Sequence, residues 1–167
     1  VESFASYRPP VESPEIQYME ERRKKLGGYL PVRKQKGNSL KIPSLSNFSN
    51  VLTTTGNREI STTMAFVRIL STLVRDDEIG KYVVPIVPDE ARTFGMEGMF
   101  RQLGIYSSIG QLYEPQDSDQ VMFYKEQKDG QILEEGINEA GSFSSWIAAA
   151  TSYSNSGIQT IPFYIFY

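Results

Sequence analysis

The sequence contains neither cysteine nor histidine. Without cysteine the chain can form no disulfide bond and no thiolate site. Without histidine it lacks the commonest metal ligand and the commonest base near neutral pH. Any chemistry must therefore come from carboxylates, tyrosines or a bound cofactor.

Long apolar runs are also missing. No stretch approaches the roughly 18 apolar residues that a membrane-spanning helix needs, and the first residues show no signal-peptide pattern. We therefore expect a cytoplasmic protein with no membrane partner. The stretch GMEGMFRQLG has neither the G-x-G-x-x-G nor the G-x-x-x-x-G-K-[ST] spacing, so we reject a phosphate loop there.

Charge is distributed unevenly along the chain. Residues 1–58 carry ten Lys and Arg against five Asp and Glu, whereas the remaining residues carry seven against fifteen. This contrast predicts an N-terminal arm or interdomain linker over 1–58, with one short helix, and a single domain over 59–167. The basic stretches ERRKK and RKQK invite a nucleic-acid interpretation, but no pattern of stacking aromatic residues accompanies them. We expect a solvated helix face or a contact with the acidic domain, and no nucleic-acid partner.

Hydrophobic periodicity predicts the class of fold. Ser13 and Pro14 begin a helix that ends near residue 26, and a second, well-buried helix is expected from about 59 to 75. The run YVVPIV shows no alternation of apolar and polar residues, as expected of a parallel strand covered on both faces. TIPFYIFY predicts a second buried strand. A helix followed by a buried strand is typical of an α/β fold, with a parallel sheet flanked by helices.

Shorter patterns predict the remaining elements. LSNFSNVL is long enough for a helical turn that directs Phe48, Val51 and Leu52 inward, and GIYSS and VMFYK are candidate strands. Four apolar residues between these elements are expected in the core: Met96, Met99, Phe100 and Leu103.

The stretch DGQILEEGINEAGSFSSWIAAATSYS contains the strongest candidate for a functional residue. Phe143, Trp146 and Ala150 recur at helical spacing on one face, and Glu139 begins that face, so its carboxyl group is expected over apolar side chains. Burial can raise the pKa of a carboxyl group by up to about 3–5 units, which suits acid–base chemistry. The residues alone favour a simpler alternative, in which Glu139 only satisfies free N–H groups at the start of the helix.

Two adjacent acids follow the first predicted strand. Ligands of open α/β sheets bind beyond the carboxyl ends of the strands, so Asp89 and Glu90 are well placed for a site. The alternative is a pair of solvated loop acids, with Asp89 capping the element that follows.

Three stretches together resemble one known family. GQILEEGINEAGSFSSWIAAATSYS, with DEARTFGMEGMFRQLGIYS before it and TIPFYIFY after it, is similar to the middle domain of the homodimeric bacterial pyruvate dehydrogenase decarboxylase component. Members of this family are thiamine diphosphate enzymes of the transketolase-like superfamily. The similarity runs from about Glu59 to the last residue, and a weaker match in KLGGYLPVR extends it towards the amino end. It implies a pyrimidine-binding α/β domain.

The resemblance implies roles for particular residues. Glu139 would hydrogen-bond the aminopyrimidine ring of thiamine diphosphate, and Ile137 and Asp89 would also contact the cofactor. Asp89 and Glu90 would line the active-site channel, and Tyr167 would face the substrate. The diphosphate and Mg²⁺ would be bound by another domain, through a GDG-type motif that is absent from this sequence.

The resemblance also implies a reaction and partners. Pyruvate would be decarboxylated, the acetyl unit would pass to the lipoyl domain of dihydrolipoamide acetyltransferase, and a homodimer partner would complete the site. Because the sequence stops within a strand-like aromatic run, we expect a C-terminally truncated fragment that is inactive alone. The alternatives are an isolated interaction domain without activity, or the same domain of a transketolase or a 2-oxoglutarate decarboxylase.

Overall fold

The computed structural model describes residues 9–28, 33, 35–88, 91–116 and 124–166. Three residues to which the sequence assigns site roles lie outside the described residues: Asp89, Glu90 and Tyr167. The first three residues of the candidate strand VMFYK also lie outside them.

The described elements are helices and short strands. The helices are α1 (Pro14–Lys25), α2 (Ser49–Leu52), α3 (Thr62–Leu73), α4 (Glu97–Leu103), α5 (Glu139–Ala150) and α6 (Ser152–Asn155), with 3-10 turns at Leu45–Phe48 and Gly80–Tyr82. The strands are β1 (Val83–Val87), β2 (Ile105–Tyr106), β3 (Glu126–Gln127), β4 (Leu133–Glu134) and β5 (Ile161–Tyr164). None of the helices in these segments is long and apolar enough to cross a bilayer.

A parallel sheet with the strand order β4-β1-β5 forms the centre of the domain. Helix α3 packs on one face, where its Val67 and Leu70 join Val83 and Val87 of β1 in the main core cluster. Helix α5 contacts β1 and β5 but contributes none of the described residues of that cluster, so it covers the opposite face. The predicted parallel sheet flanked by helices is therefore confirmed.

The core and the first helix follow the sequence pattern closely. All four predicted core residues of the 96–103 segment are buried. Helix α1 begins after Ser13, whose hydroxyl accepts a hydrogen bond from the Ile16 N–H, and Gly27 follows it with a φ of 95°. A positive φ at that position is typical of a glycine that ends a helix.

Two predictions about burial are wrong. The pattern directs Leu52 inward with Phe48, yet Leu52 is 57% exposed while Phe48 is buried. Helix α2 is a single turn that ends at Leu52, so no following turn holds that side chain against α3. The apolar run at β5 predicts a buried strand, but all four of its residues are only half-buried, because the strand lies at one end of the β4-β1-β5 order.

The small strands differ in part from the prediction. GIYSS does contain β2, but β2 pairs in parallel with β3, which begins at Glu126, just after VMFYK. No sequence pattern predicts strand β4. Gln131 lies two residues before β4. Its side-chain N–H₂ group stabilises this region, because it donates to the carbonyl oxygens of Gly80, at 2.7 Å, and Val83, at 2.5 Å. Gln131 thus ties the approach to β4 to the amino end of β1.

Candidate functional site

The carboxyl ends of three parallel strands meet at one edge of the sheet. Strand β1 ends at Val87, two residues before the first predicted site acid, and β4 ends at Glu134, five residues before Glu139. Strand β5 ends at Tyr164, close to the last residue of the chain. Since ligands of open α/β sheets bind beyond the carboxyl ends of strands, this edge is the candidate site.

The loop from β4 to α5 is fixed by backbone hydrogen bonds. The Glu135 N–H donates to the carbonyl oxygen of Val87 at 3.0 Å, which holds the loop against β1. Gly136 then adopts a φ of 73°, a left-handed conformation that glycine takes without steric cost. At the far end, the Asn138 side-chain oxygen accepts from the Gly141 N–H at 3.0 Å and caps α5. The loop is therefore held at both ends.

Glu139 is the first residue of α5, but its side chain is exposed. The sequence favours a buried carboxyl group over apolar side chains, but burial is not found in this chain, because Phe143, one turn further on, is itself 51% exposed. Ser142 is the fully buried residue of this helix, while Trp146 of the predicted face is half-buried and its indole N–H donates to the carbonyl oxygen of Pro162 at 3.2 Å. The carboxyl group of Glu139 is therefore accessible from the carboxyl edge.

The structure also bears on the alternative in which Glu139 only satisfies free N–H groups at the start of α5. Asn138, and not Glu139, supplies the side-chain cap of α5, and the Asn138 carbonyl oxygen accepts from the hydroxyl of Ser142 at 2.9 Å. The side-chain cap of α5 is thus supplied without the Glu139 carboxyl group. What remains is an accessible acid at the positive end of a helix, a location that favours negative charge or contact with a polar ligand.

Ile137 stands beside this acid with 78% of its surface exposed. Phe143 lies one turn into α5 from Glu139, and its ring stacks on Trp146 with the centroids 5.5 Å apart. Exposed apolar side chains beside an exposed carboxyl group are typical of a surface that a ligand or a second protein covers.

A second group of polar residues lies beside the site and escapes prediction from the sequence. The Tyr124 hydroxyl lies 2.9 Å from a carboxylate oxygen of Glu134 and 3.1 Å from one of Glu126. The Tyr113 hydroxyl donates to the same Glu126 oxygen at 2.8 Å. We call these four residues the Tyr–Glu cluster. They come from separate loops and strands, so no local spacing indicates that they meet.

Burial, followed by the hydrogen bond to Glu134, raises the pKa of Tyr124 above its usual value. An unfolded tyrosine loses its proton near pH 10, whereas folded Tyr124 keeps it, so the folded state binds more protons above about pH 10. The contribution of Tyr124 to stability is thus complete below about pH 10 and is lost as the pH rises further. We expect the Tyr124→Phe variant to lose free energy of unfolding less steeply between about pH 9.5 and 11, as measured by urea denaturation.

Tyr18→Phe is the matched control, because Tyr18 is an exposed tyrosine of α1. Its stability should follow the same alkaline slope as the wild type. An identical slope for wild type and Tyr124→Phe would contradict the raised pKa.

One pocket lies away from the carboxyl edge. Phe48 and Thr72 help to line an open surface depression of about 350 Å³ between the arm and the end of α3. The lining residue Asp77 precedes β1, so the depression lies at the amino end of that strand and outside the candidate site. In the described part of the chain, no cluster of three or more acidic, cysteine or histidine side chains is arranged to hold a metal ion.

The described residues form a parallel α/β domain with a candidate ligand site at the carboxyl edge of its sheet. Residues 40–167 match the family model described as the pyruvate dehydrogenase E1 component middle domain. The chain belongs to that family. This agrees with the resemblance found in the sequence.

The relatives of the chain are full-length proteins of the same description. It is 65% identical over 167 residues to the pyruvate dehydrogenase E1 component of Pseudomonas aeruginosa, a match that covers 100% of this chain and 19% of that protein. Identity is 63% over 159 residues with the component from Cupriavidus necator, and 54% over 159 residues with that from Escherichia coli K12; each match covers 95% of this chain and 18% of the relative. The chain thus spans about a fifth of the length of these relatives.

Proposed function

We propose that this chain is the part of a pyruvate dehydrogenase E1 component that holds the aminopyrimidine ring of thiamine diphosphate. The observation that carries the proposal is the high identity, over nearly the whole chain, to proteins named as that component. In the full-length protein, pyruvate would be decarboxylated and the acetyl unit passed to the lipoyl domain of dihydrolipoamide acetyltransferase. The family match favours this interpretation over transketolase and 2-oxoglutarate decarboxylase.

The residues at the carboxyl edge fit such a ring. Glu139 offers an exposed carboxyl group that can share a proton with a ring nitrogen, and Ile137 offers an exposed apolar side chain to pack against the ring. Bound thiamine diphosphate would supply the chemistry that releases carbon dioxide from pyruvate, and the protein would orient the cofactor.

Other parts of the site complete the proposal. Asp89 and Glu90 would line the channel, with Asp89 also near the cofactor, and Tyr167 would face the substrate. Mg²⁺ and the diphosphate would be held by another domain, contributed by a homodimer partner. Such a partner would also cover Ile137 and Phe143, whose exposure supports this arrangement. The assembly would work in the cytoplasm.

The direct test is turnover of pyruvate by the purified full-length protein. We expect carbon dioxide release that requires both thiamine diphosphate and Mg²⁺, and none with 2-oxoglutarate or a ketose phosphate as the substrate. Release from 2-oxoglutarate, or no release from pyruvate under any condition, would mean that the proposed substrate is wrong.

A further inference from the structure

We propose that Tyr124 is a positioning residue for the site: by hydrogen-bonding Glu134 it fixes the end of β4, and with it the loop that presents Ile137 and Glu139. The catalytic part of this inference rests on the proposed function. The positional part rests on the geometry of the described residues alone.

The Tyr124 ring has a fixed place in the domain. It packs against the main core cluster, and it meets the buried ring of Phe100 edge to face, with the centroids 5.8 Å apart. Since protein cores are close-packed, a ring held in this way sets the position of its hydroxyl group. The hydroxyl is then a firm attachment point for whatever it binds.

The two carboxylate partners of the Tyr124 hydroxyl differ in their distance from it and in their other contacts. Tyr124 has one proton to donate, and of its two carboxylate contacts the one with Glu134, at 2.9 Å, is shorter than the one with Glu126, at 3.1 Å. Glu126 receives a second hydroxyl, that of Tyr113, at 2.8 Å. Tyr113 can therefore serve Glu126, which leaves the proton of Tyr124 for Glu134. Hydrogen bonds to an ionised carboxylate are about twice as strong as neutral ones.

A side-chain hydrogen bond to Glu134 acts on the end of strand β4. It is the last residue of a two-residue strand that pairs with β1 only at Leu133 and Glu134. Gly136 follows with its left-handed backbone, and Glu139 lies three residues beyond that. The Glu135 N–H bond to Val87 fixes the backbone beside this residue, and the Tyr124 contact adds a side-chain restraint at the last residue of the strand.

The kinetic test compares two hydroxyl deletions within the Tyr–Glu cluster of the full-length protein. Tyr124→Phe should lower kcat for pyruvate decarboxylation about tenfold, in line with the loss of a hydrogen bond to a charged group, while KM for pyruvate changes less than about twofold. We expect kcat to change more than KM because loss of the bond displaces Ile137 and Glu139, which face the cofactor in the proposed function. Tyr113→Phe deletes a hydroxyl from the same cluster, but one that serves Glu126; Glu126 can then compete for the Tyr124 proton, so kcat should fall less than in Tyr124→Phe, which loses the bond to Glu134 altogether. Equal losses in the two variants would overturn the inference.

Variants at position 134 separate positioning from general damage. Glu134→Gln keeps an oxygen that can accept from Tyr124 and should restore most of the kcat that Glu134→Leu loses. The double variant Tyr124→Phe/Glu134→Leu should be no slower than Glu134→Leu alone, because Glu134→Leu already lacks the bond to Tyr124. Additive losses, or equal losses for Gln and Leu, would show that the two residues do not act through this bond.

Hydrogen exchange tests the positional part without any assumption about activity. In the full-length protein, backbone amides of residues 135–142 should exchange faster in Tyr124→Phe and Glu134→Leu than in wild type, and also faster than in Tyr113→Phe, which retains the Tyr124 hydroxyl. Unchanged exchange in all variants would overturn the positioning role. Absence of pyruvate turnover in wild type would refute the proposed function instead, and the exchange rates would still decide whether Tyr124 positions the loop.

Discussion

Replacement of Glu139 by glutamine in the full-length protein is expected to lower the rate of pyruvate decarboxylation about 10²–10⁴-fold, the usual loss when a catalytic acid or base is removed. Glutamine keeps the size of the side chain and removes the ionisable proton. The measurement is kcat and kcat/KM for pyruvate at saturating thiamine diphosphate and Mg²⁺. Both constants should fall together if the carboxyl group acts in the transition state.

The structure indicates that this loss would be chemical and not a consequence of unfolding. Glu139 is exposed, and Asn138 already caps the helix, so loss of one charge at the helix start should change stability by only about 0.3–1 kcal/mol. Glu15→Gln is the matched control, because Glu15 is an exposed glutamate in the first turn of α1. Its activity should stay within about twofold of wild type. If Glu139→Gln also kept full activity, Asp89 and Glu90 would become the acids to replace next.

The fold can be predicted where local pattern and tertiary environment agree. Helix α3 has one apolar stripe and strand β1 is a continuous apolar run, so the hydrophobic pattern locates both elements. Strand β1 is the central strand of the sheet. Helix α1 is recognisable from its cap alone, although it buries no residue. In each case the signal lies within a few neighbouring residues, which is what a sequence displays directly.

The rest depends on contacts between distant residues. Strand β4 has two residues, too few to show a period, and it exists because β1 offers an edge to pair with. The sequence pattern locates helix α5 correctly and Trp146 does meet the sheet, but the pattern also directs Phe143 inward, and Phe143 is exposed. Small side chains let a helix approach a sheet closely, and Ser142 is the residue that is fully buried.

In the candidate site, too, some features follow from the local sequence and others depend on contacts between distant residues. The sequence places Glu139 at the start of a helix, which the structure confirms, while the burial expected for it would need a ligand or a partner surface that the chain alone does not contain. The contact of Tyr124 with Glu134 arises between residues ten apart that lie in different elements. This contact can be linked to the candidate site only when the positions of β4 and of the loop that follows it are known.

Replacement of Ile86 by alanine is expected to lower the free energy of unfolding by about 2–5 kcal/mol, a large part of the total stability of a typical domain. Ile86 is fully buried in the central strand, where it pairs with Leu133 on one side and Tyr164 on the other. It lies on the face covered by α5, because its neighbour Val87 belongs to the core cluster on the opposite face. Equilibrium denaturation in urea measures the loss.

Two further variants make this test specific to the centre of the sheet. Ile86→Val removes one methylene and should cost about 0.5–1.5 kcal/mol, whereas Ile42→Ala makes the full deletion at a side chain that is 85% exposed and should change stability by less than about 0.5 kcal/mol. The Ile86 carbonyl oxygen also accepts from the Ile165 N–H at 3.2 Å, beyond the end of β5. A cavity at Ile86 should therefore loosen the carboxyl edge as well. A loss no larger than that of Ile42→Ala would mean that this strand is not the core on which the site is built.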